Sequence, residues 1–274
     1  LEIVKTRRDG KKYGSLLWLL DQTETAMGAR CLYSWITQPL NDIAAIDTRL
    51  DAVEELIGSI QIREGIKEKL SGVRDLERLA AKAAYGSINP KDCIFLANTL
   101  SALPQIKYLL SGAKSAALRE IDNNIICLDD LLNLLVSAIN ENPPQTLKDG
   151  GIIKKGYNSE LDTLREASHG GKRWLAELEA SERNKTGIKN LKIGYNKVFG
   201  YYIEVTKSYL SQVPINYIRK QTVANAERYI TPELKSVENK IIGADEQSIR
   251  LEIRLFGDIT AEICNHIEAM QKSA

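Results

Sequence analysis

The sequence predicts a mainly α chain: a helical bundle core and two long antiparallel helices that carry a small antiparallel β-sheet. Three observations predict it. Apolar residues recur at spacings of three and four through the segment that ends near Asn142. Two matching stripes of the same kind, Leu161–Leu178 and Leu234–Leu255, lie further on. Between them runs a segment rich in β-branched and aromatic residues, which suit strands.

The first helix that the pattern defines follows "PLND": Ile43, Ile46, Leu50, Val53 and Ile57 recur on one face, with Asn41 or Asp42 placed to cap its start. A second stripe, Val73, Leu76, Leu79 and Ala83, is stopped by "GSINP". Asn89 and Pro90 open a third helix, in which Pro104 should produce a kink. "LDDLLNLLVSAIN" reads as another buried helix. Pro143-Pro144 and Gly150-Gly151 then mark a boundary, giving a core domain over 1–155.

An ascending helix is expected over 156–187. Leu161, Leu164, Ser168, Gly171, Leu175 and Leu178 form a seam that packs along another helix, and the small residues in it imply close approach or a local bend. Gly170-Gly171 works against the helix, at about 1 kcal/mol per glycine. The returning helix, 232–274, answers with Leu234, Val237, Ile241, Ala244, Ser248, Leu251 and Leu255. Pro232 suits its first turn, Thr231 its cap, and Glu233 the positive end of its dipole. If continuous, the two would extend on the order of 40 Å and 55 Å.

Over 188–231, "LKIGY", "VFGYYIEVT", "YIRKQT" and "ERYI" read as strands. Asn196-Lys197 fits a tight hairpin turn, because asparagine tolerates positive φ, and "VANA" closes a second hairpin.

Charge is unevenly placed. The whole chain carries a net +1, with 27% charged and 43% apolar residues. Lys185 through Arg228 holds eight basic residues against only Glu204 and Glu227, a net +6. The return stretch 232–270 has four basic and eight acidic residues, a net −4. Lysines and arginines beside Asn196, Gln221 and Asn225 make the sheet a surface suited to phosphates, or an ordinary solvated face.

Several classes are disfavoured. The longest uncharged run, Cys93–Ile106, is short for a membrane span of roughly 20 residues, so no membrane partner is expected. "LEIVKTRRDGKK" lacks the apolar core of a signal peptide and reads as a chain entered partway through. Cys31, Cys93, Cys127 and Cys264, with His169 and His266, offer no zinc spacing, so the cysteines are expected to be reduced, mostly core residues of an intracellular protein. No phosphate loop, G-x-G-x-x-G or G-x-S-x-G is present. The strand "KVFGYYIEV" partly follows the RNA-recognition pattern, but Glu204 stands where its second stacking ring belongs. Phe199, Tyr201 and Tyr202 are therefore read as packing residues.

"GSLLWLLDQTETAMGARCLYSWITQPLNDIAAIDTRLDAVEELI" (14–57), with Asp21, Thr23, Thr25, Met27, Gly28, Arg30, Trp35, Pro39-Leu40, Arg49-Leu50 and Val53, closely resembles the opening of the core domain of the DNA mismatch-repair MutS family. "TGIKNLKIGYNKVFGYYIEVTKS" and "YIRKQTVANAERYITPELK" resemble that family's clamp, in order and at the right distance. The resemblance covers essentially the whole chain. It implies a core, two lever helices and a β clamp that closes on double-stranded DNA, touching its sugar-phosphate backbone together with the clamp of a second MutS subunit. It also implies that the mismatch reader and the ATPase domain, with ATP and magnesium, lie outside this chain, which is then no enzyme by itself and holds no cofactor. Cytoplasmic, nucleoid-associated location follows from the same likeness. The turns and edges are expected to make the contacts, through Asn196, Lys197, Lys207, Lys220, Asn225 and Arg228. Arg219 is assigned to the sheet's other face. Ala224 departs from the family, whose members often have a basic residue there.

Overall fold

The computed structural model describes residues 2–196 and 198–274. They form a mainly helical chain with one small antiparallel sheet, as the sequence predicts, arranged in two compact units. The first comprises Leu1–Lys154 and Leu255–Ala274, the second Lys155–Arg254.

The first unit begins with α1 (Leu16–Leu20), α2 (Ala26–Thr37) and α3 (Ile43–Gly58). The Thr25 side chain caps α2 by accepting the Gly28 N–H, and Asp42 caps α3 by accepting from Ala45. Arg30 reaches both oxygens of Asp75 at 2.7 and 2.9 Å, and the Arg49 guanidinium lies 3.8 Å over the Trp35 ring. Thr25, Arg30, Trp35 and Arg49, four of the residues that carry the family likeness, thus serve as a cap and as ties within this unit.

After α4 (Ile60–Ser71) and α5 (Leu76–Ala84) comes α6 (Pro90–Leu110), followed by α7 (Ala116–Asn124) and α8 (Asp129–Ala138). A capping box starts α6: Asn89 accepts from the Asp92 N–H while Asp92 accepts from the Asn89 N–H. The helix runs unbroken through Pro104 to Leu110. Length and composition would let α6 cross a membrane. Here it packs against α4, α5, α7 and α8, and Cys93, Leu96, Leu100, Leu103, Ile106 and Leu110 are buried. The stripe Val73, Leu76, Leu79 and Ala83 is buried too.

The α3 stripe differs. Ile43, Ile46, Leu50, Val53 and Ile57 are all exposed. The helix uses another face for its neighbours: Ala52 is buried, and Glu55 accepts the N–H groups of Lys114 and Ser115 at 2.7 Å each. These two bonds hold the Glu55 carboxyl below its usual range.

In the second unit α9 (Ser159–Thr186) continues through both glycines and ends on Gly187, which takes a φ of 73°. Four strands follow: β1 (Lys192–Asn196), β2 (Gly200–Thr206), β3 (Ile218–Thr222) and β4 (Ala226–Ile230). The long helix α10 (Pro232–Asn265) starts where the Thr231 hydroxyl accepts the Leu234 N–H, and α11 (Ile267–Ser273) closes the chain. The 28 residues of α9 and 34 of α10 correspond to about 42 Å and 51 Å. The unit boundary falls inside α10, between Arg254 and Leu255.

Helices α9 and α10 pair antiparallel, as Arg165–Glu252, Lys172–Asp245 and Gly171–Ile241 show in turn. Leu161, Ser168, Leu175 and Leu178 are buried from one side, and Leu234, Ile241, Ala244, Ser248 and Leu251 from the other. A Cβ on Gly171 would lie 2.3 Å from Ile241 Cγ1, so the small residue in the seam marks close approach.

The strand order is β1-β2-β4-β3, all neighbours antiparallel. Ile203, Val205 and Tyr229 face a core shared with Leu175, Leu178, Ile188, Leu191, Tyr217, Leu234 and Ile241. Alternation puts Tyr202, Glu204 and Arg228 on the opposite face.

Candidate nucleic-acid interface

The sheet's two hairpins point in opposite directions. β2 runs from Gly200, paired with Asn196, to Thr206, paired with Ala226. The β1–β2 turn is therefore at one end of the sheet and the β3–β4 turn at the other. At the β3–β4 end the Lys207 N–H donates to the Asn225 carbonyl at 3.1 Å, bringing these two predicted contacts together. The turn itself is closed by the Val223 N–H donating to the Ala226 carbonyl at 2.9 Å, as "VANA" led one to expect. Lys207, Asn225 and Ala224 are exposed.

Lys220 is presented by a bulge. Arg219 pairs with Tyr229 and Gln221 with Arg228, so Lys220 is an extra residue opposite neither, and its side chain is exposed. Asn196 lies at the other end of the sheet, half-buried, with its side-chain oxygen accepting the Val198 N–H at 2.8 Å. This corrects the expected role of asparagine as the positive-φ residue. Among the described residues no non-glycine has a positive φ, and Gly200 (φ 78°) makes the bend. Lys197 lies outside the described residues.

Arg228 is engaged within the sheet. Its Nε donates to Glu204 at 2.9 Å, an Nη donates to Gln221 at 2.9 Å, and its guanidinium stacks 4.3 Å over the Tyr202 ring. Tyr202 in turn lies across Gly194, where a Cβ would come within 2.8 Å of the ring. Tyr201, on the core side, packs 4.9 Å from Tyr195. Two of the three aromatics thus brace the sheet, whereas Phe199 sits exposed in the turn, against the expectation of packing.

Ion pairs sort the basic residues. Lys185 pairs with Glu182, Arg219 with Glu227 and Arg228 with Glu204. Lys189, Lys192, Lys207 and Lys220 are exposed and make no ion pair among the described residues. Lys189 and Lys192 escaped the residue-by-residue reading; the available signal was the lack of an acid near them in the chain. Glu227 also accepts the Tyr229 hydroxyl at 2.5 Å, a bond that, with Arg219, holds its carboxyl below the usual range. Burial, with that same bond, pushes the Tyr229 hydroxyl up to about 12. Burial likewise raises Tyr217, whose hydroxyl donates to Glu182 at 2.6 Å.

The sequence has no phosphate loop, and among the described residues no three His, Cys, Asp or Glu are placed to hold a metal. All four cysteines are free thiols.

Fold and surface together define a class: a helical core unit and a pair of long helices that present a four-stranded sheet with an exposed lysine-bearing end. The chain belongs to the MutS domain III family, whose model matches residues 1–274. It is 53% identical to the DNA mismatch repair protein MutS of Lachnoclostridium phytofermentans and 53% identical to that of Desulforamulus reducens, over 274 residues each. It is 49% identical over 275 positions to that of Clostridium tetani. All of this chain is aligned in each case, against 29%, 32% and 31% of those relatives, so it spans about a third of their length.

Proposed function

We propose that this chain is the core, lever and clamp of a DNA mismatch-repair protein, and that its sheet grips the backbone of duplex DNA without reading sequence. One observation carries the reading. After Glu182, Glu204 and Glu227 have taken their partners, Lys189, Lys192, Lys207 and Lys220 remain exposed on or beside the sheet, with no ion pair among the described residues. Lysines of that kind are point charges for phosphates and carry no base code. Lys207, Lys220 and Asn225 are the principal contacts in this reading. Asn196 and Arg228 support the sheet that presents them. In the longer protein the paired helices α9 and α10 serve as levers to an ATPase domain outside this chain, which takes the ATP and magnesium. A second subunit supplies the opposing clamp.

The test is titration of a labelled duplex at 50 and 200 mM salt. Non-specific affinity on the order of 10⁻⁴ to 10⁻⁶ M is expected at physiological salt, and it should fall steeply with salt. With four lysines engaged, a slope of about −0.9 per phosphate predicts a loss of about 100-fold across that interval. Binding that does not respond to salt refutes the grip.

A further inference from the structure

Two carboxylates on the long helices are built alike. Glu179 on α9 accepts the backbone N–H of Ile193 in β1 at 2.7 Å, while its other oxygen pairs with Arg183 one turn on. Glu238 on α10 accepts the backbone N–H of Tyr201 in β2 at 3.2 Å, while its other oxygen pairs with Lys235 one turn back. Each therefore splits its oxygens between a strand amide and a base of its own helix. Both amides need an acceptor, since an unpaired buried N–H is costly. β1 is an edge strand, and β4 pairs with β2 only over Ile203–Thr206, short of Tyr201.

Only 4% of the Glu238 surface is exposed. A buried carboxylate costs several kcal/mol unless paired, so packing alone does not explain its presence there. It also fixes a neighbour. A Cβ on Gly200 would lie 2.2 Å from Glu238 Oε1, so the carboxylate occupies the space left by the absent side chain.

We propose that Glu179 and Glu238 are positioning residues that fasten the two strands of the β1–β2 hairpin to different helices, and that β2 carries this placement to Lys207. From Gly200 to Thr206 the strand spans about 20 Å at ~3.3 Å per residue, and Lys207 follows directly. A displacement of α10 at Glu238 is then delivered to the lysine-bearing end of the sheet without slack at the joint. This last step rests on the DNA-grip reading; the joint itself does not.

Amide hydrogen exchange of the full chain, read by mass spectrometry on peptides resolving Ile193 and Tyr201, tests the joint. In Glu238→Ala, Tyr201 should exchange about tenfold faster or more while Arg228 and Tyr229 keep their protection. Glu238→Gln retains an acceptor oxygen and should stay within about twofold of the unsubstituted chain, whereas the shorter Glu238→Asp should behave as the alanine. Glu179→Ala should act in the same way on Ile193. Unchanged exchange at Tyr201, or loss spread evenly over all four strands, overturns the joint. Should Glu238→Ala fail to fold, Glu238→Asp decides the matter. Duplex titration of the same variants tests delivery to Lys207: Glu238→Ala should weaken affinity about threefold or more and lower the salt slope by up to about 1, as loss of the Lys207 contact does. Faster exchange with unaltered affinity overturns delivery. Salt-insensitive binding by the unsubstituted chain refutes the grip and leaves the exchange result to judge the joint.

Discussion

Adjacent glycines in α9 should respond differently to the same substitution. At Gly170 a Cβ would meet no heavy atom within 4 Å. Gly170→Ala should therefore stabilise the second unit by about 1 kcal/mol, the ordinary gain in a helix interior. At Gly171 the added carbon would lie 2.3 Å from Ile241 Cγ1 and 2.9 Å from Cδ1. Ile241 is 1% exposed, in the same buried cluster as Leu175, Leu178 and Leu234, so it has little room to turn. Overpacking costs about 1–3 kcal/mol, which offsets the helical gain and leaves Gly171→Ala neutral to about 2 kcal/mol destabilising. The two sister variants should differ by about 1–3 kcal/mol in urea denaturation followed by circular dichroism. A double-mutant cycle sharpens the test. Ile241→Ala alone should cost about 2–5 kcal/mol, and combining it with Gly171→Ala should cost less than the sum by about 1–3 kcal/mol. Equal effects of the two alanines, or a coupling near zero, would refute the close approach of α9 and α10.

Gly194→Ala should push the Tyr202 ring off β1 and weaken its stacking on Arg228, lowering stability by about 1–3 kcal/mol; an unchanged melting temperature would count against that packing. Lys207→Ala and Lys220→Ala should each reduce the steepness of the salt dependence of duplex binding by about 1. Arg228→Gln, by contrast, should lower the melting temperature and leave that slope in place, because its partners are Glu204, Gln221 and Tyr202. The Tyr229 hydroxyl ionises near 12 in the folded chain against an ordinary 10, so its protonated form is favoured by folding. Its contribution is complete below pH 10 and is lost as the pH rises through 12, which tyrosinate absorbance measured alongside melting should register. Tyr229→Phe should flatten stability across that window.

Where a signal is local, the sequence reveals it. Asn89-Pro90 and Thr231-Pro232 start α6 and α10 because caps and first-turn prolines act within a few residues. The α9 and α10 seams were legible because each needs only its own spacing, and Gly171 marked close approach. The Ile43–Ile57 stripe shows where such reading stops: periodicity tells which face of α3 is apolar, not whether anything covers it. The turn after Asn196 shows a second limit: its positive-φ residue is Gly200, and the space that its absent side chain leaves is filled by Glu238, thirty-eight positions further along the chain. Charge counting found the basic segment yet could not separate Arg228 from Lys207. That distinction depends on cross-strand register, which sets Glu204 and Gln221 beside the arginine.

Because Lys220 is surplus to the ladder, it can be taken out without renumbering the faces of β3. Removing that single codon would let Gln221 follow Arg219 directly, and each would keep its present partner, Arg228 and Tyr229. A shortened strand of this kind would lose one positive charge and regain one rung.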